Sequence, residues 1–500
     1  MNILVLDDRL KPTARSFVGR RGKLMIDGVF VDAASGKTFP VYNPASATIL
    51  TQAAEAGQED VDRAVAAARQ AFDDGPWRKL STSERGQLLW KLAQLVEKNS
   101  EEFAEIEAID SGKAITVARR VDVAWSIEML RYMAGWATKI TGQTIPFNRS
   151  GGDYFCYTTR EPVGVVAQII PFNFPLLIAV IKLAPALAAG CTTILKPAEQ
   201  TPLSALRLGE LILDAGFPPG VVNILTGGPA TGAALASHGQ VDAVAFTGST
   251  AVGKKIVAAA AGNLKKVQLE LGGKAPAIVF PDADLDRVIP GVSHGIFFNQ
   301  GQTCCAGSRL FAHRKVFDRV LEGVCAYASR IRLGPGLDEK TEMGPLVSDS
   351  HASRVEGYVA SGTQDGARIA VGGGRVNKDG GYYFAPTVLT ETRPQMKVVQ
   401  EEIFGPVLVA EPFDDDDLES IAQVGNDTVF GLSASVWTRD LGIAHKTSRM
   451  LKAGTIWINC HNVFDGGLPF GGFKQSGWGR EMGFEVLHNY TEVKTTIAAL

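Results

Sequence analysis

Along the chain the spacing of apolar positions changes character several times. Leu24-Met25-Ile26 and Val29-Phe30-Val31 flank Asp27-Gly28, a pair suited to the left-handed positions of a two-residue turn, and predict a hairpin. Residues 1 to about 20 read as a loose polar tail. Ser81-x-x-Glu84 forms a capping box ahead of Leu88, Leu89, Leu92, Leu95 and Val96, which recur at helical spacing. From Val163 the pattern alternates: a strand over 163–170, a helix to 189, a strand over 192–196 and a helix over 202–215. Strands over 221–225, 241–246 and 267–271 continue it, with shorter helices between. Such alternation predicts a mainly parallel sheet covered on both faces, with ligands at the carboxyl ends of its strands. A second α/β series starts at Ala275-Pro276-Ala277-Ile278-Val279-Phe280 and runs through a strand over 454–459. Two pieces fit neither series, residues near 142–160 and the tail from Tyr490 to Ile497. Both have strand-like composition and would leave open edges unless covered.

Residues 162–191 are nearly all apolar, long enough to suggest a membrane span. Gln168, Asn173 and Lys182 interrupt them, and Pro171, Pro175 and Pro185 are expected to break helical continuity, so the stretch reads as a buried strand, a turn and a buried helix. With 500 residues, 45% hydrophobic and 21% charged, the chain has the composition of a soluble enzyme of two or three domains. A net charge of -3 argues against a nucleic-acid binder and leaves small molecules or further copies of the chain as partners. Six cysteines are too sparse for a disulfide scaffold and lack metal-ligand spacing, which fits reduced thiols. Only Ile3 to Leu6 are apolar at the start before Asp7 and Asp8, so no targeting segment is read and a cytoplasmic location is expected.

Cys304 lies in Phe297-Phe298-Asn299-Gln300-Gly301-Gln302-Thr303-Cys304-Cys305-Ala306-Gly307, where so much glycine and small polar residue suits chemistry better than packing. It is the candidate nucleophile, and a thiol needs surroundings that favour its thiolate. Upstream, Leu269-Glu270-Leu271-Gly272-Gly273-Lys274 sets one carboxylate at the end of an apolar run, where burial raises its pKa toward general-base range. Gly248-Ser249-Thr250-Ala251-Val252-Gly253-Lys254 nearly spells a P-loop, but Lys255 stands where a magnesium-holding hydroxyl is needed. Its Gly248 and Ser249, at a helix start, offer backbone N–H groups to a pyrophosphate. Asp414-Asp415-Asp416-Asp417 reads as a cap for a helix from Leu418 rather than a metal site, and the histidines show no zinc spacing.

The glutamate and cysteine motifs, in that order, resemble the NAD(P)-dependent aldehyde dehydrogenase superfamily, and matching segments run from about residue 25 to the C-terminus. The resemblance implies a Rossmann-like NAD-binding domain over 1–139 and 163–272, a catalytic domain over 273–474, and an oligomerisation arm over 140–162 and 487–500, in a homotetramer or homodimer. It implies a reaction in which Cys304 adds to an aldehyde, a thioester forms, and Glu270 activates the hydrolytic water. Asn173, in Ile170-Pro171-Phe172-Asn173-Phe174-Pro175, matches the oxyanion-hole asparagine, although Phe172 replaces a commoner tryptophan. Lys182 matches a lysine linked to proton transfer, with a structural pairing the competing reading. Lys196 and Glu199 match residues that bind the adenine ribose, and a carboxylate at Glu199 favours NAD over NADP. Glu402 and Phe404 match residues at the nicotinamide ribose and nicotinamide. A coenzyme A-acylating enzyme is disfavoured by Glu270, and an inactive protein on the same scaffold by the intact Cys304, Glu270 and Asn173.

The family's substrate-channel positions are here Phe174, Leu177, Ile178, Ile181, Phe298, Thr303, Phe464 and Phe470, an apolar set free of charge that suits an aryl or medium alkyl group. The stretch from Asn459 to Phe470 looks most like the phenylacetaldehyde dehydrogenase branch. Medium-chain and retinal-type aldehydes are the alternatives.

Overall fold

The computed structural model describes residues 6–414 and 417–500. Among them the strands form two large sheets. The first has eight strands with a parallel centre, ordered Val222–Ile224, Thr192–Lys196, Val165–Ile169, Ala243–Thr247, Lys266–Glu270. The hairpin Leu24–Ile26 with Val29–Val31 extends it antiparallel at one edge, and Asp27 (φ 52°) and Gly28 (φ 74°) form the expected turn. At the other edge the short strand Gly477–Trp478 returns from far downstream to pair with Leu269 and Glu270. Chain order reverses between Val165–Ile169 and Ala243–Thr247, which puts the switch point of the sheet beside Asn173.

The second sheet has seven strands. From Thr387–Thr390 through Val407–Phe413, Arg309–His313, Pro276–Val279 and Ser433–Trp437 to Thr455–Ile458 all are parallel, and Arg368–Val371 closes one edge antiparallel. The two pieces that fit neither sheet pair with each other: Tyr154–Pro162 runs antiparallel to Thr491–Ala499 over nine residue pairs. Thr144 adds a bridge to Tyr157.

The predicted strands and helices recur with ends moved by one or two residues, and three expectations are corrected. Residues 12–18 are not a tail: Pro12–Val18 is a helix, with Pro12 in its first turn and Ala14, Phe17 and Val18 buried. Lys11 N–H fixes it to Glu105 (2.9 Å). Pro185 does not break its helix. Pro175–Ala189 runs straight through it to Gly190 in the left-handed conformation, because all fifteen side chains are buried and packing outweighs the missing N–H. The acid run divides: Asp417 caps the helix Leu418–Asn426, Asp414 pairs with Arg314, and Asp415 and Asp416 lie outside the described residues. The Ser81–Glu84 capping box forms as expected. No helix among the described residues is long and apolar enough to cross a membrane.

Candidate active site

The two sheets meet end to end. The first presents carboxyl ends: Ile170 to Asn173 follow Val165–Ile169, Gly248 and Ser249 follow Ala243–Thr247, and Glu270 is the last residue of its strand. The second presents amino ends: Gly272 to Lys274 precede Pro276–Val279, Cys304 precedes Arg309–His313, and Glu402 to Pro406 precede Val407–Phe413. The carboxyl-end rule therefore describes one half of the seam only. A cavity of about 750 Å³ follows it, lined by Asn173, Glu270 and Cys304, by Gly248, Ser249, Glu402 and Phe404, and by all eight channel positions.

The loop that carries Cys304 is held in an unusual backbone. Asn299 (φ 49°), Gln300 (φ 59°) and Gly301 (φ 68°) are left-handed in succession, and each non-glycine residue so placed costs on the order of 1–3 kcal/mol and persists only where its neighbours enforce it. The Asn299 amide does so by donating to the carbonyls of Asn173 (3.1 Å) and Gln302 (3.3 Å), and the Gln300 amide donates to Pro345 O (3.2 Å). A Cβ on Gly301 would stand 2.1 Å from Gly405 O, and one on Gly273 would stand 2.3 Å from Cys304 O. Bare backbone at these two positions lets the glutamate, cysteine and Glu402 motifs close on one another. Cys305 is buried with its thiol against Asn462 Oδ1 (3.4 Å), and its carbonyl accepts from His461 Nε2 (2.9 Å) and Ser433 Oγ (3.3 Å).

Hydrogen bonding with Cys305, followed by burial, holds the Cys304 thiol well above its ordinary pKa, and the carboxylates of Glu402 and Glu481 act in the same direction. The neighbours that act on Cys304 among the described residues thus favour the thiol over the thiolate expected of a nucleophile. Burial first, then the charges of Glu481 and Cys304, also push Glu270 well above the carboxylate range, against the pull of Lys182 and Arg480. Neither Glu270 oxygen meets a hydrogen-bond partner among the described residues, so no hydrogen bond favours its charged form and the carboxyl is left open to exchange protons with what enters the cavity. Lys182 does not line the cavity. Fully buried, it is ion-paired to Glu481 (2.6 Å) and donates to Gln268 (3.2 Å), which shares a strand face with Glu270. Glu481 is the member of this group that faces the cavity.

Asn173 Nδ2 donates to Gln302 O (3.0 Å). An amide nitrogen carries two hydrogens, so one is left for the cavity beside Cys304.

At the other end, the Gly248 N–H expected for phosphate is spent on Glu270 O (3.0 Å), and Ser249 Oγ caps its helix at Val252 N–H (3.3 Å). The remaining first-turn amides of Thr250–Ala260 stay at the helix start. Lys196 and Glu199 do not line this cavity: Lys196 is buried, donates to Pro197 O (2.9 Å) and stands 3.9 Å from Glu199, which opens on a separate cavity of about 310 Å³. Glu402 accepts from Gly273 N–H (3.0 Å), and burial still pushes its carboxyl up to about 7. Phe404 (φ 61°) sets its ring edge-on to Phe172 at 5.6 Å, and His351 bonds its carbonyl (2.7 Å). Thr247 Oγ1 is buried on the cavity wall, with no hydrogen-bond partner among the described residues. A spare hydroxyl, a helix start and carboxylates able to accept sugar hydroxyls fit a dinucleotide.

The channel end is aromatic: Phe174 stacks on Phe298 (6.1 Å), and Phe464 meets Phe470 (5.4 Å), Trp457 (5.3 Å) and Trp125 (5.4 Å) edge-on. Arg120, His294, Arg330 and Glu342, all exposed, also line the cavity, so freedom from charge holds for the eight channel positions and not for the rim. Trp125, His351, His461 and Glu481 were not found from the sequence, since each arrives from an element remote from the motifs it serves.

Comparison with known proteins agrees across the chain. A profile described as the Aldehyde dehydrogenase family matches residues 30–496. A protein of Emericella nidulans named aldehyde dehydrogenase is 50% identical over 474 residues, 94% of each chain. The structure of a Bacillus cereus aldehyde dehydrogenase in complex with NAD+ superposes with a TM-score of 0.96 at 49% identity, covering 98% of this chain and 99% of that one. The structure of P. syringae AldA, named as an indole-3-acetaldehyde dehydrogenase and bound to NAD+ and IAA, gives 0.93 at 41% identity over 96% and 97% of the two chains.

Proposed function

This chain belongs to the aldehyde dehydrogenase family and is an NAD-dependent aldehyde dehydrogenase, and from that premise we propose that it oxidises an aryl or arylacetaldehyde such as phenylacetaldehyde to its acid, with Cys304 as nucleophile. Cys304 gives its thiol proton to Glu270, and Sγ adds to the carbonyl carbon to give a thiohemiacetal that becomes the thioester on loss of hydride, with Glu270 passing the proton on before it acts again. The second amide hydrogen of Asn173 and the Cys304 N–H hold its oxyanion. Bound NAD supplies the hydride acceptor. Glu270 then takes a proton from water attacking the thioester, and Glu481 with Lys182 behind it offers the proton a way out. The observation that carries this reading is the convergence of Cys304, Glu270 and Asn173, from three separate elements, on one cavity.

Lys196 and Glu199 bind the adenine ribose in this proposal, Gly248 and Ser249 belong to the phosphate turn, and Glu402 and Phe404 hold the nicotinamide end. Residues 1–139 and 163–272 form the NAD-binding domain, 273–474 the catalytic domain, and 140–162 with 487–500 an arm that joins copies in a homotetramer or homodimer. Exposed Phe155, Val493 and Ile497 on the paired strands support the arm. Six free thiols support a reducing compartment, the cytoplasm.

Glu270→Gln is expected to keep a first burst of NADH while steady-state turnover falls at least about 100-fold; unchanged turnover removes Glu270 from deacylation. For substrate, the stacked Phe174–Phe298 pair and the ring cluster at Phe464 favour a flat aromatic guest. Phenylacetaldehyde is expected to exceed hexanal in kcat/KM, and parity or reversal discards the aryl assignment while leaving the dehydrogenase intact.

A further inference from the structure

Asn173 is gripped from behind by a charged cluster that none of the assignments above uses. Lys113 is 1% exposed, and its ammonium donates to Asn173 O (2.9 Å) and to Asp122, and stands 3.6 Å from Glu107. The same ammonium lies 4.5 Å above the ring of Phe174, the next residue and part of the channel wall. Glu107 in turn accepts from Leu176 N–H (3.0 Å), at the start of the buried helix Pro175–Ala189. Residues 173–176 are thus held at one end by a buried cation on a carbonyl and at the other by a buried anion on an amide.

Asp122 reaches this cluster through a local change of helix. Ala118–Val123 is a π-helical segment between Ile115–Val117 and Ala124–Trp136. The wider turn carries one more residue than an α-turn, and such insertions concentrate at functional sites. It lets Asp122, fully buried, face Lys113 while Arg120, Val121 and Trp125 line the cavity. A buried ion pair is seldom worth more to stability than apolar residues of the same size, so its presence points to geometry.

We propose that Lys113 is a positioning residue that aims the Asn173 amide at the oxyanion, and that the π-helical turn exists to deliver its counter-ion while keeping the channel wall in place. This rests on the assignment of Asn173 to the oxyanion. Lys113→Met leaves two buried carboxylates unpaired, so the paired variant Lys113→Met/Asp122→Asn is the main test, read as three rates in the full-length enzyme. The NADH burst and kcat are expected to fall about 10–100-fold, because a misaimed donor loses part of the ~10²–10³-fold that one oxyanion donor contributes. KM for NAD and the alkylation of Cys304 by iodoacetamide, a displacement that forms no oxyanion, are expected to stay within about twofold. Lys113→Arg is expected to restore part of the burst.

A burst within twofold of the parent overturns the proposal, and so does a parallel loss of burst and alkylation, which marks general collapse of the nucleophile loop. If the paired variant does not fold, Asp122→Asn, which keeps the lysine but frees it from its anchor, decides by the same comparison of burst with alkylation. Asn173→Ala measured alongside separates the two levels: no loss there removes the oxyanion assignment itself, whereas loss there with none in the Lys113 variants removes this proposal alone.

Discussion

Cys304 and its neighbours show how far a single residue's chemistry follows from local sequence. The motif gives the thiol and the loop, but the charge state comes from what surrounds it in space, and there Cys305, burial and two carboxylates all favour the neutral thiol. Because only thiolate is nucleophilic, alkylation of the enzyme without cofactor by iodoacetamide should rise about tenfold per pH unit from pH 7 to 9. A plateau below pH 8 would mean an unrecognised cation beside the sulfur. Cys304, Glu270 and Asn173 were legible because each sits in a short run of diagnostic neighbours. Lys113, His461 and Glu481 were not: a buried ion pair or a ring against a carbonyl is made by residues far apart in the chain, and nothing in their own surroundings marks them.

Elements were legible where period and length agreed. The helix Pro175–Ala189 and the five parallel strands of the first sheet fall within one or two residues of expectation, since continuous apolar runs bounded by glycine or proline leave few alternatives. The helix Pro12–Val18 escaped because seven residues with two large apolar side chains carry too little periodicity to outweigh their polar flanks. The loop 459–470 behind the Cys304 segment carries a testable consequence. Burial holds His461 at about 4 against an ordinary 6.5. Between those values the unfolded chain binds a proton that the folded chain does not, so stability is present above pH 6.5 and is lost as pH falls toward 4, by roughly 3 kcal/mol at most. The drop in Tm from pH 7 to pH 4.5 should therefore be smaller in His461→Gln than in the parent; equal drops would show that this ring is not what titrates. Gly301→Ala, which would force a Cβ against Gly405 O, is expected to lower Tm by several degrees and activity by at least about tenfold, since left-handed backbone and contact are both violated. Circular dichroism and turnover on the same sample check both.

At the scale of the whole molecule, two α/β series were visible in the alternation of strands and helices, but their relation was not. Carboxyl ends facing amino ends is a product of long-range packing, as is the pairing of Tyr154–Pro162 with a tail that lies more than 300 residues away in sequence. If that pair joins copies of the chain, ending the protein at Tyr490 removes one of its strands and leaves the other an open edge. Size-exclusion chromatography with light scattering should then show a smaller assembly or aggregation. An unchanged assembly would place the contact elsewhere. The strand Gly477–Trp478 extends the same logic to time. It covers the edge of Lys266–Glu270, and the chain needed for it is synthesised long after that strand. On the ribosome, Glu270 therefore waits on an uncovered strand while some two hundred further residues emerge, and a message broken anywhere in that interval yields a sticky sheet edge and an unfinished cavity. For this protein the short strand at Gly477 separates a covered sheet edge from work for chaperones.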